Sequence, residues 1–237
     1  MGLGKSNQLS LGVSLNDEAT FDNYYAPISS SAPQVIDVLK QQIEPEGELS
    51  IYLWGKPGCG LTHLLQASCQ YANEKGTYAQ YIPLQDLVGF APESLFEGLE
   101  VQDLICLDGL HTVAGNPLWD EALFVLFNQM RDAGKRLVFG ATLNPNELSS
   151  SLPDLQSRLN WSVVFHLEEL NDADKQAALQ HRAKARGMEM TDDVAQYIIS
   201  HAPRDMNDLF YLLNRLDELS LVEQRKLTIP FVKEVIK

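Results

Sequence analysis

Apolar residues follow two alternating patterns along residues 49–167 of the chain. Short continuous apolar runs are typical of strands buried on both faces, and apolar residues spaced three or four apart are typical of helices. The predicted strands are Leu49–Trp54, Thr77–Ile82, Leu104–Asp108, Leu137–Ala141 and Trp161–Leu167. Because helices alternate with these strands, the pattern predicts an α/β fold in which helices cover both faces of a five-stranded parallel sheet.

The helical periodicity also predicts which residues face the sheet. Predicted helices cover Pro33–Ile43, Leu61–Lys75 and Pro117–Asp132, with a broken helix over Asp86–Leu99 and a short helix inside Ser151–Leu159. For the strongly amphipathic helix at Pro117–Asp132, the predicted inward-facing residues are Leu118, Ala122, Val125, Leu126 and Met130.

After Leu167 the pattern becomes helical only. The predicted helices there are Asp172–Arg186, Asp192–His201, Pro203–Leu219 and Ile229–Ile236. Residues 1–18 are instead polar and rich in Gly and Ser, which is typical of a flexible tail. The sequence therefore predicts a tail at residues 1–18, an α/β base at 19–167 and a small all-helical lid at 168–237.

The composition excludes several classes of protein. The chain has 237 residues, a net charge of −14 and no apolar run long enough to span a membrane. Such an acidic chain lacks the clustered Lys and Arg that neutralise phosphates, so we expect no direct binding of DNA or RNA. Three cysteines without metal-binding spacing, Cys59, Cys69 and Cys106, and no secretory signal pattern predict a cytoplasmic protein with reduced thiols.

Residues 55–62 form a glycine-rich turn between a predicted strand and a predicted helix. Their spacing is that of the phosphate-binding loop G-x-x-x-x-G-K-[ST], whose backbone N–H groups and helix N-terminus bind phosphate. Leu61 stands where the lysine that binds the outer phosphates is expected, and whether Lys56 replaces its charge is open. The residues predicted to bind the nucleotide here are Pro57, Gly58, Cys59, Gly60, Leu61, Thr62 and His63.

Leu104–Asp108 is an apolar strand that ends in an acid. This pattern is typical of the Walker B strand, and it predicts that Thr62 and Asp108 hold the Mg²⁺ of a bound nucleotide. An aspartate in an ordinary turn gives the same pattern, so the alternative stays open. Gly109 follows, where a glutamate that polarises the attacking water is common. The loop and the strand together predict a site that retains a nucleoside diphosphate but turns over little ATP.

Taken together, these motifs resemble the AAA+ superfamily. Within it, Thr20–Tyr24, Gly60–Leu65 and Ser157–Trp161 are similar to motifs of the nucleotide domain of the bacterial initiator DnaA. The tail around Gln8–Leu11 and the segment Gln224–Lys233 resemble the Hda family of DnaA regulatory inactivators. The resemblance covers residues 20–237 and implies an AAA+ base and lid, without the helicase-loading and DNA-binding domains of the initiator.

The resemblance implies roles for two arginines. Arg158 matches the arginine finger, which projects across a subunit interface towards the γ-phosphate of a neighbour. Its alternative role is a surface ion pair with Asp154 or another nearby acid. Arg204 matches the sensor 2 arginine, which reaches from the lid to the bound phosphate. Its alternative role is an ion pair with Asp205 or Asp208.

The resemblance also implies partners and a base site. Gln8, Leu9 and Leu11 are expected to bind the hydrophobic groove of the DNA polymerase sliding clamp, the β subunit, although the same residues suit an ordinary tail. Tyr25, together with Tyr24, is expected to flank the base of the nucleotide. The base itself is not predicted beyond an expectation of ADP.

Three functions are compatible with these residues. The first is a clamp-tethered regulator that holds a diphosphate and supplies Arg158 to ATP-bound DnaA, which ends initiation. The second is an active AAA+ ATPase of the clamp-loader or helicase-loader type, and Leu61 and Gly109 argue against it. The third is an adaptor with a vestigial pocket. Self-association, the need for Mg²⁺ and any residual hydrolysis are left open.

Overall fold

The computed structural model describes residues 15–236 of the chain. Its strands are β1 Ser50–Gly55, β2 Ala79–Pro83, β3 Leu104–Asp108, β4 Arg136–Ala141 and β5 Val163–Leu167. They form one five-stranded sheet in the order β2-β3-β4-β1-β5, and every pairing in it is parallel. The predicted parallel sheet is therefore confirmed, and the carboxyl ends of its strands share one edge.

Helices cover both faces of the sheet and continue beyond it. They are α1 Ala32–Gln41, α2 Leu61–Glu74, α3 Pro92–Phe96, α4 Pro117–Asp132, α5 Pro153–Leu159, α6 Asp172–Ala185, α7 Asp192–His201, α8 Met206–Glu223 and α9 Ile229–Ile236. Short 3₁₀ turns lie at Leu84–Asp86, Leu99–Val101, Leu110–Thr112 and Pro145–Glu147. The predicted break in the helix over residues 86–99 is confirmed, because only α3 is α-helical in that stretch.

The strands are buried on both faces, as the continuous apolar runs predict. Side chains alternate along β3: Leu104 and Cys106 pack with α1 and α2, whereas Ile105 and Leu107 pack with α3, α4 and α5. Cys69 joins the first of these layers and is fully buried, as is Cys106. Both thiols are therefore small core residues, as expected.

The predicted inward face of α4 is wrong at two positions. Leu118 and Val125 are 58% and 46% exposed, whereas Trp119, Leu123 and Phe127 are buried. The helix is apolar over more than one face, so its periodicity is compatible with two rotations about the axis. The observed rotation buries the larger aromatic side chains against the sheet.

Helices α6 to α9 form a lid with a core of its own. Leu179, Leu209, Leu213 and Phe231 belong to this second core and are almost fully buried. The predicted start of α8 at Pro203 is wrong, because Asp205 caps the helix by accepting a hydrogen bond from the Asn207 N–H at 2.8 Å.

The described residues contain neither a membrane-spanning helix nor a cluster of metal ligands. No helix in residues 15–236 is both long and apolar enough to cross a membrane. The same residues contain no cluster of three or more His, Cys, Asp or Glu side chains that would hold a metal ion.

Asp120 on α4 fixes the turn that leads into α5. The carboxylate is fully buried and accepts hydrogen bonds from the Ser151 N–H at 2.6 Å, the Ser151 hydroxyl at 2.7 Å and the Ser150 hydroxyl at 3.2 Å. The Gly115 N–H donates a further bond at 3.2 Å. A buried carboxylate that accepts this many hydrogen bonds is a structural anchor, since its oxygens have no access to water.

We predict that Asp120→Ala lowers the free energy of unfolding by about 2 to 3 kcal/mol, because it removes a fully buried carboxylate and the hydrogen bonds that hold this turn. Urea denaturation followed by circular dichroism measures the change. Asp132→Ala, at the exposed end of the same helix, is the control and should change stability by less than about 0.5 kcal/mol. Equal stabilities of the two variants would show that Asp120 anchors nothing.

Candidate functional site

The phosphate-binding loop lies between β1 and α2, and the Tyr24 side chain packs against it. Gly58 and Gly60 have φ values of 84° and 93°, a left-handed conformation that favours glycine. The Tyr24 hydroxyl donates to the Cys59 carbonyl at 2.9 Å. A Cβ atom at Gly60 would lie 2.5 Å from Tyr24 Cε2, so only glycine lets the loop pack this closely. The sequence thus folds into the expected cradle of backbone N–H groups.

A cavity of about 520 Å³ opens above this loop, between the base and the lid. That volume is within the range of small-molecule sites. The predicted site residues that line it are Tyr25, Pro57, Gly58, Cys59, Gly60, Leu61, Thr62, His63 and Asp108. The loop conformation and the cavity volume both fit a nucleotide, so the structure brings together all predicted nucleotide residues except Arg204.

Thr62 and Asp108 meet at the carboxyl edge of the sheet. The Thr62 hydroxyl donates to Asp108 Oδ2 at 2.6 Å, and the Tyr81 hydroxyl donates to the same oxygen at 2.8 Å. Burial raises the pKa of Tyr81, so its phenol stays protonated and remains a donor. A hydroxyl and a carboxylate are ligands that Mg²⁺ accepts beside phosphate oxygens, so the pair fits the predicted metal role.

The positive charge that a triphosphate requires is missing from the loop. Leu61 is half-buried, and its side chain packs against the core that surrounds α2. Lys56 does not replace the missing lysine in this structure, because its ammonium pairs with Glu169 at 2.9 Å and its side chain is 74% exposed. Gly109 has a φ of 79° and donates its N–H to the Gly140 carbonyl at 2.9 Å, so it supplies no catalytic carboxylate.

The predicted placement of Arg204 is wrong in this structure. Its side chain is 71% exposed, lies outside the cavity and pairs with Asp172 at 3.7 Å. Arg204 precedes α8 because the helix begins after the Asp205 cap, so its side chain is directed to the start of α6. The neighbouring Asp205 approaches the loop instead, and a Cβ atom at Gly58 would lie 3.0 Å from Asp205 Oδ2.

Two lid arginines that the sequence reasoning missed do line the cavity. Arg186 donates to both carboxylate oxygens of Glu18, at 2.9 and 2.5 Å, and Arg182 donates to Glu18 Oε2 at 2.9 Å. Arg182 also donates to the Glu18 carbonyl at 2.9 Å. Hydrogen bonding from Arg186 lowers the pKa of Glu18. The i, i+4 spacing of the two arginines on α6 is the sequence signal that would have placed them on one face.

His63 and Cys59 have structural roles at the edge of the cavity. His63 Nε2 lies 2.7 Å from the Thr20 carbonyl, and burial lowers the pKa of the imidazole. The His63 ring also packs on Tyr24, with centroids 5.5 Å apart. Burial raises the pKa of the Cys59 thiol to about 11, so it is protonated at neutral pH and is not a nucleophile. Packing, rather than catalysis, accounts for both side chains.

Tyr25 joins the N-terminal segment to the lid. Its side chain lines the cavity and packs against the lid core, with its ring centroid 6.3 Å from that of His181. His181 Nε2 lies 2.8 Å from the Asp22 carbonyl. Tyr25 is therefore positioned beside the cavity, which Tyr24 also lines while its hydroxyl donates to the loop.

Arg158 does not line this cavity and lies in the last turn of α5. Its guanidinium carbon is 4.0 Å from the centroid of the Trp161 ring and 5.9 Å from that of Phe124. Its Nε atom is buried without a hydrogen-bond partner, and no acid within residues 15–236 forms an ion pair with it. The alternative pairing with Asp154 is therefore wrong in this structure. The predicted clamp-binding residues Gln8, Leu9 and Leu11 lie outside the described residues.

Family models match both parts of the chain. Residues 15–166 match the model of the bacterial DnaA ATPase domain, which is more than half of the sequence. The chain belongs to the bacterial DnaA ATPase family. Residues 172–236 match a second model, that of the Hda lid domain. The predicted relation to Hda and DnaA within the AAA+ superfamily is confirmed.

Solved structures show the same fold at low sequence identity. Domain III of DnaA from Thermotoga maritima is 21% identical, with a TM-score of 0.78 over 94% of this chain and 97% of that one. AMPPCP-bound DnaA from Aquifex aeolicus is 21% identical, with a TM-score of 0.73 over 88% and 68%. The RuvB Holliday junction branch migration motor of Thermotoga maritima is 17% identical, with a TM-score of 0.67 over 92% and 71%. These similarities confirm the AAA+ fold.

We predict that Glu18→Gln loosens the lid and lowers nucleotide affinity, because Glu18 holds two lid arginines beside the cavity. Since Glu18 is 42% exposed, the expected loss of unfolding free energy at pH 7 is only about 1 kcal/mol. Calorimetric titration with ADP measures the affinity, and thermal denaturation measures the stability. Glu121→Gln, an exposed acid on α4, is the control. Identical ADP affinities of the Glu18 and Glu121 variants would contradict the prediction.

The contact of Glu18 with Arg182 and Arg186 also predicts that the stability of the protein depends on pH. The folded-state pKa of Glu18 is lowered from its ordinary value of 4.5. Its contribution to the free energy of unfolding is therefore complete above pH 4.5 and is lost as the pH falls through the lowered pKa. The stability difference between wild type and Glu18→Gln should therefore shrink on acidification. A difference that grows at acid pH would contradict this linkage.

Proposed function

We propose that this protein is a negative regulator of replication initiation that acts on DnaA. In this proposal it binds the sliding clamp through Gln8, Leu9 and Leu11 and supplies Arg158 in trans to ATP bound on DnaA. Its own pocket holds a nucleoside diphosphate, with ADP as the expected ligand, and turns over little or no ATP. The site of hydrolysis is therefore the pocket of the neighbour.

The unpaired Arg158 is the observation that supports this proposal most directly. An arginine finger must keep its N–H donors free for the γ-phosphate of a partner, since a local carboxylate would occupy them. The chain contains 32 acids, yet within residues 15–236 Arg158 pairs with none of them. A charge left unpaired in this way is costly unless an external group uses it.

The chemistry of the pocket supports storage of a nucleotide rather than turnover. A bound nucleotide would be held by the backbone of residues 57–61 and by Thr62, and a bound Mg²⁺ would neutralise phosphate charge. Leu61 and Gly109 stand at the positions of the phosphate-binding lysine and the Walker B glutamate. Loss of a point charge beside the outer phosphates weakens binding of a triphosphate more than binding of a diphosphate.

The net negative charge of the chain supports action through a protein partner. At a net charge of −14 the chain is repelled by DNA, so clamp binding offers a route to the replication site that needs no contact with phosphates. An extended segment with Leu9 and Leu11 on one side suits an apolar groove. Membership in the DnaA family favours DnaA itself as the neighbour, because AAA+ fingers act across contacts between related subunits.

We predict that Arg158→Ala reduces stimulated hydrolysis of DnaA-bound ATP by about 10³-fold, the contribution of arginine fingers in other NTPases. Arg158→Lys should be almost as inactive, because an ammonium does not reproduce the planar donor pair. The assay contains ATP-bound DnaA and clamp loaded on DNA. Arg215→Ala, an exposed lid arginine, is the control and should retain full stimulation. Undiminished stimulation by Arg158→Ala would contradict the proposed function.

The same assay tests the tail. A Gln8/Leu9/Leu11 triple alanine variant should lose clamp binding and stimulation together, while keeping its fold and its nucleotide. A Ser6/Ser10/Ser14 triple alanine variant changes the same segment without removing the proposed anchors and should behave as wild type. Stimulation that persists without clamp binding would remove the clamp from the mechanism.

We also predict that Leu61→Lys raises ATP affinity by about tenfold or more, because one well-placed charge contributes more than 1.4 kcal/mol at a phosphate site. Without a carboxylate at Gly109, hydrolysis should remain slow. Equilibrium binding and single-turnover assays on the isolated protein measure the two effects. Appreciable turnover by the wild-type protein would instead favour an active ATPase of the clamp-loader or helicase-loader type.

A further inference from the structure

Trp161 is a large aromatic residue that the fold leaves in solvent. It follows α5 in the segment before β5, and 60% of its surface is exposed. It belongs neither to the two apolar layers that cover the sheet nor to the lid core, nor to the partly buried apolar residues packed against them. Its side chain therefore contributes little to the core, so its position calls for another explanation.

The ring of Trp161 lies against the Arg158 guanidinium. The 4.0 Å between the guanidinium carbon and the ring centroid is a close cation–π contact. The backbone N–H of Trp161 donates to the Arg158 carbonyl at 3.0 Å, so the turn that ends α5 fixes the two residues relative to each other. A second guanidinium, that of Arg131, approaches the same ring at 5.9 Å. Arg131 is itself paired with Asp132 at 2.8 Å.

An aromatic face holds an arginine differently from a carboxylate. A carboxylate accepts hydrogen bonds from the edge of the guanidinium and neutralises its charge, whereas a ring contacts the plane and leaves the edge donors free. Asp154 lies one helical turn before Arg158, where an ion pair is sterically accessible, yet the pair is absent. The arginine is thus held in place by the ring, and no acid within residues 15–236 neutralises its charge.

The supporting turn is itself anchored to the sheet. The Ser162 hydroxyl lies 2.6 Å from that of Ser50 at the start of β1, and the Ser162 N–H donates to the Leu159 carbonyl at 3.2 Å. Leu159 is fully buried in the core under α4. The ring therefore stands on a rigid base, which is what a group that orients another side chain requires.

We propose that Trp161 is a positioning residue that holds the Arg158 guanidinium, by ring stacking, in the orientation from which it reaches the neighbour's phosphate. This inference rests on the proposed function. It assigns to Trp161 an effect on the rate of stimulated hydrolysis, with little effect on assembly of the complex. Pre-orientation removes the cost of fixing a flexible arginine at the moment of reaction.

The test compares Trp161→Ala, Trp161→Phe and Trp161→Leu in the assay with ATP-bound DnaA and clamp on DNA. The maximal rate of stimulated hydrolysis and the half-saturating concentration of this protein are measured separately. Trp161→Ala and Trp161→Leu should lower the maximal rate by about 2- to 30-fold, the range expected for loss of one cation–π contact. Trp161→Phe should retain most of the rate, because it keeps an aromatic face. The half-saturating concentration should stay within about twofold for all three.

Tyr211→Ala removes an equally exposed aromatic residue from α8 and is the control for non-specific effects. The Arg158→Ala/Trp161→Ala double variant should be no slower than Arg158→Ala alone, because Trp161 acts through Arg158. A wild-type rate in Trp161→Ala, or a rate restored equally by Leu and Phe, would overturn the inference. A change confined to half-saturation would also overturn it, since Trp161 would then be a binding contact.

The outcomes separate this inference from the proposed function. If Arg158→Ala loses stimulation while Trp161→Ala keeps it, the positioning role fails and the arginine finger stands. If Arg158→Ala keeps stimulation, the proposed function fails, and the positioning role fails with it. Unchanged melting temperatures in Trp161→Ala, as expected for an exposed ring, exclude misfolding as the cause of a loss.

Discussion

The hydrogen bond from Thr62 to Asp108 is the contact on which the nucleotide site depends. It joins the first turn of α2 to the carboxyl end of β3. The Tyr81 hydroxyl on β2 is a second donor to Asp108, and the Tyr24 hydroxyl donates to the Cys59 carbonyl of the loop. Contacts between protein side chains and backbone thus hold the cradle together. This arrangement supports the proposal that the pocket holds a nucleotide, although Leu61 and Gly109 replace groups used in hydrolysis.

The arrangement of positive charge separates the nucleotide pocket from the proposed site of chemistry. Beside the cavity, Lys56 pairs with Glu169, and Arg182 and Arg186 pair with Glu18, whereas Arg204 pairs with Asp172 outside it. These ion pairs tie the loop, the lid and the N-terminal segment together, so their charges already serve the fold. Arg158 instead rests on an aromatic ring on another face of the molecule. The charge best suited to an external phosphate is therefore one that does not line the chain's own pocket.

Periodicity and motif spacing were enough to predict the sheet, the order of its elements and the phosphate-binding loop, because these depend on local patterns. They could not determine how α4 is rotated, since Leu118 and Val125 extend an apolar surface that is wider than the buried face. Asp205 caps α8 and so places Arg204 before the helix, outside the pocket. The sequence alone does not determine whether α8 begins before or after these two adjacent polar residues. The contact of Glu18 with Arg182 and Arg186 joins residues more than 160 positions apart, and no local pattern reports it.

The central claim is that ATP is hydrolysed in the neighbour's pocket and not in this protein's own. The most direct measurement follows phosphate release from ATP labelled at the γ-phosphate and bound beforehand to only one of the two proteins. When DnaA carries the label, addition of this protein with clamp on DNA should release labelled phosphate rapidly. When this protein carries the label, release should be slow whether or not DnaA is present. Rapid release from the second mixture would contradict the account.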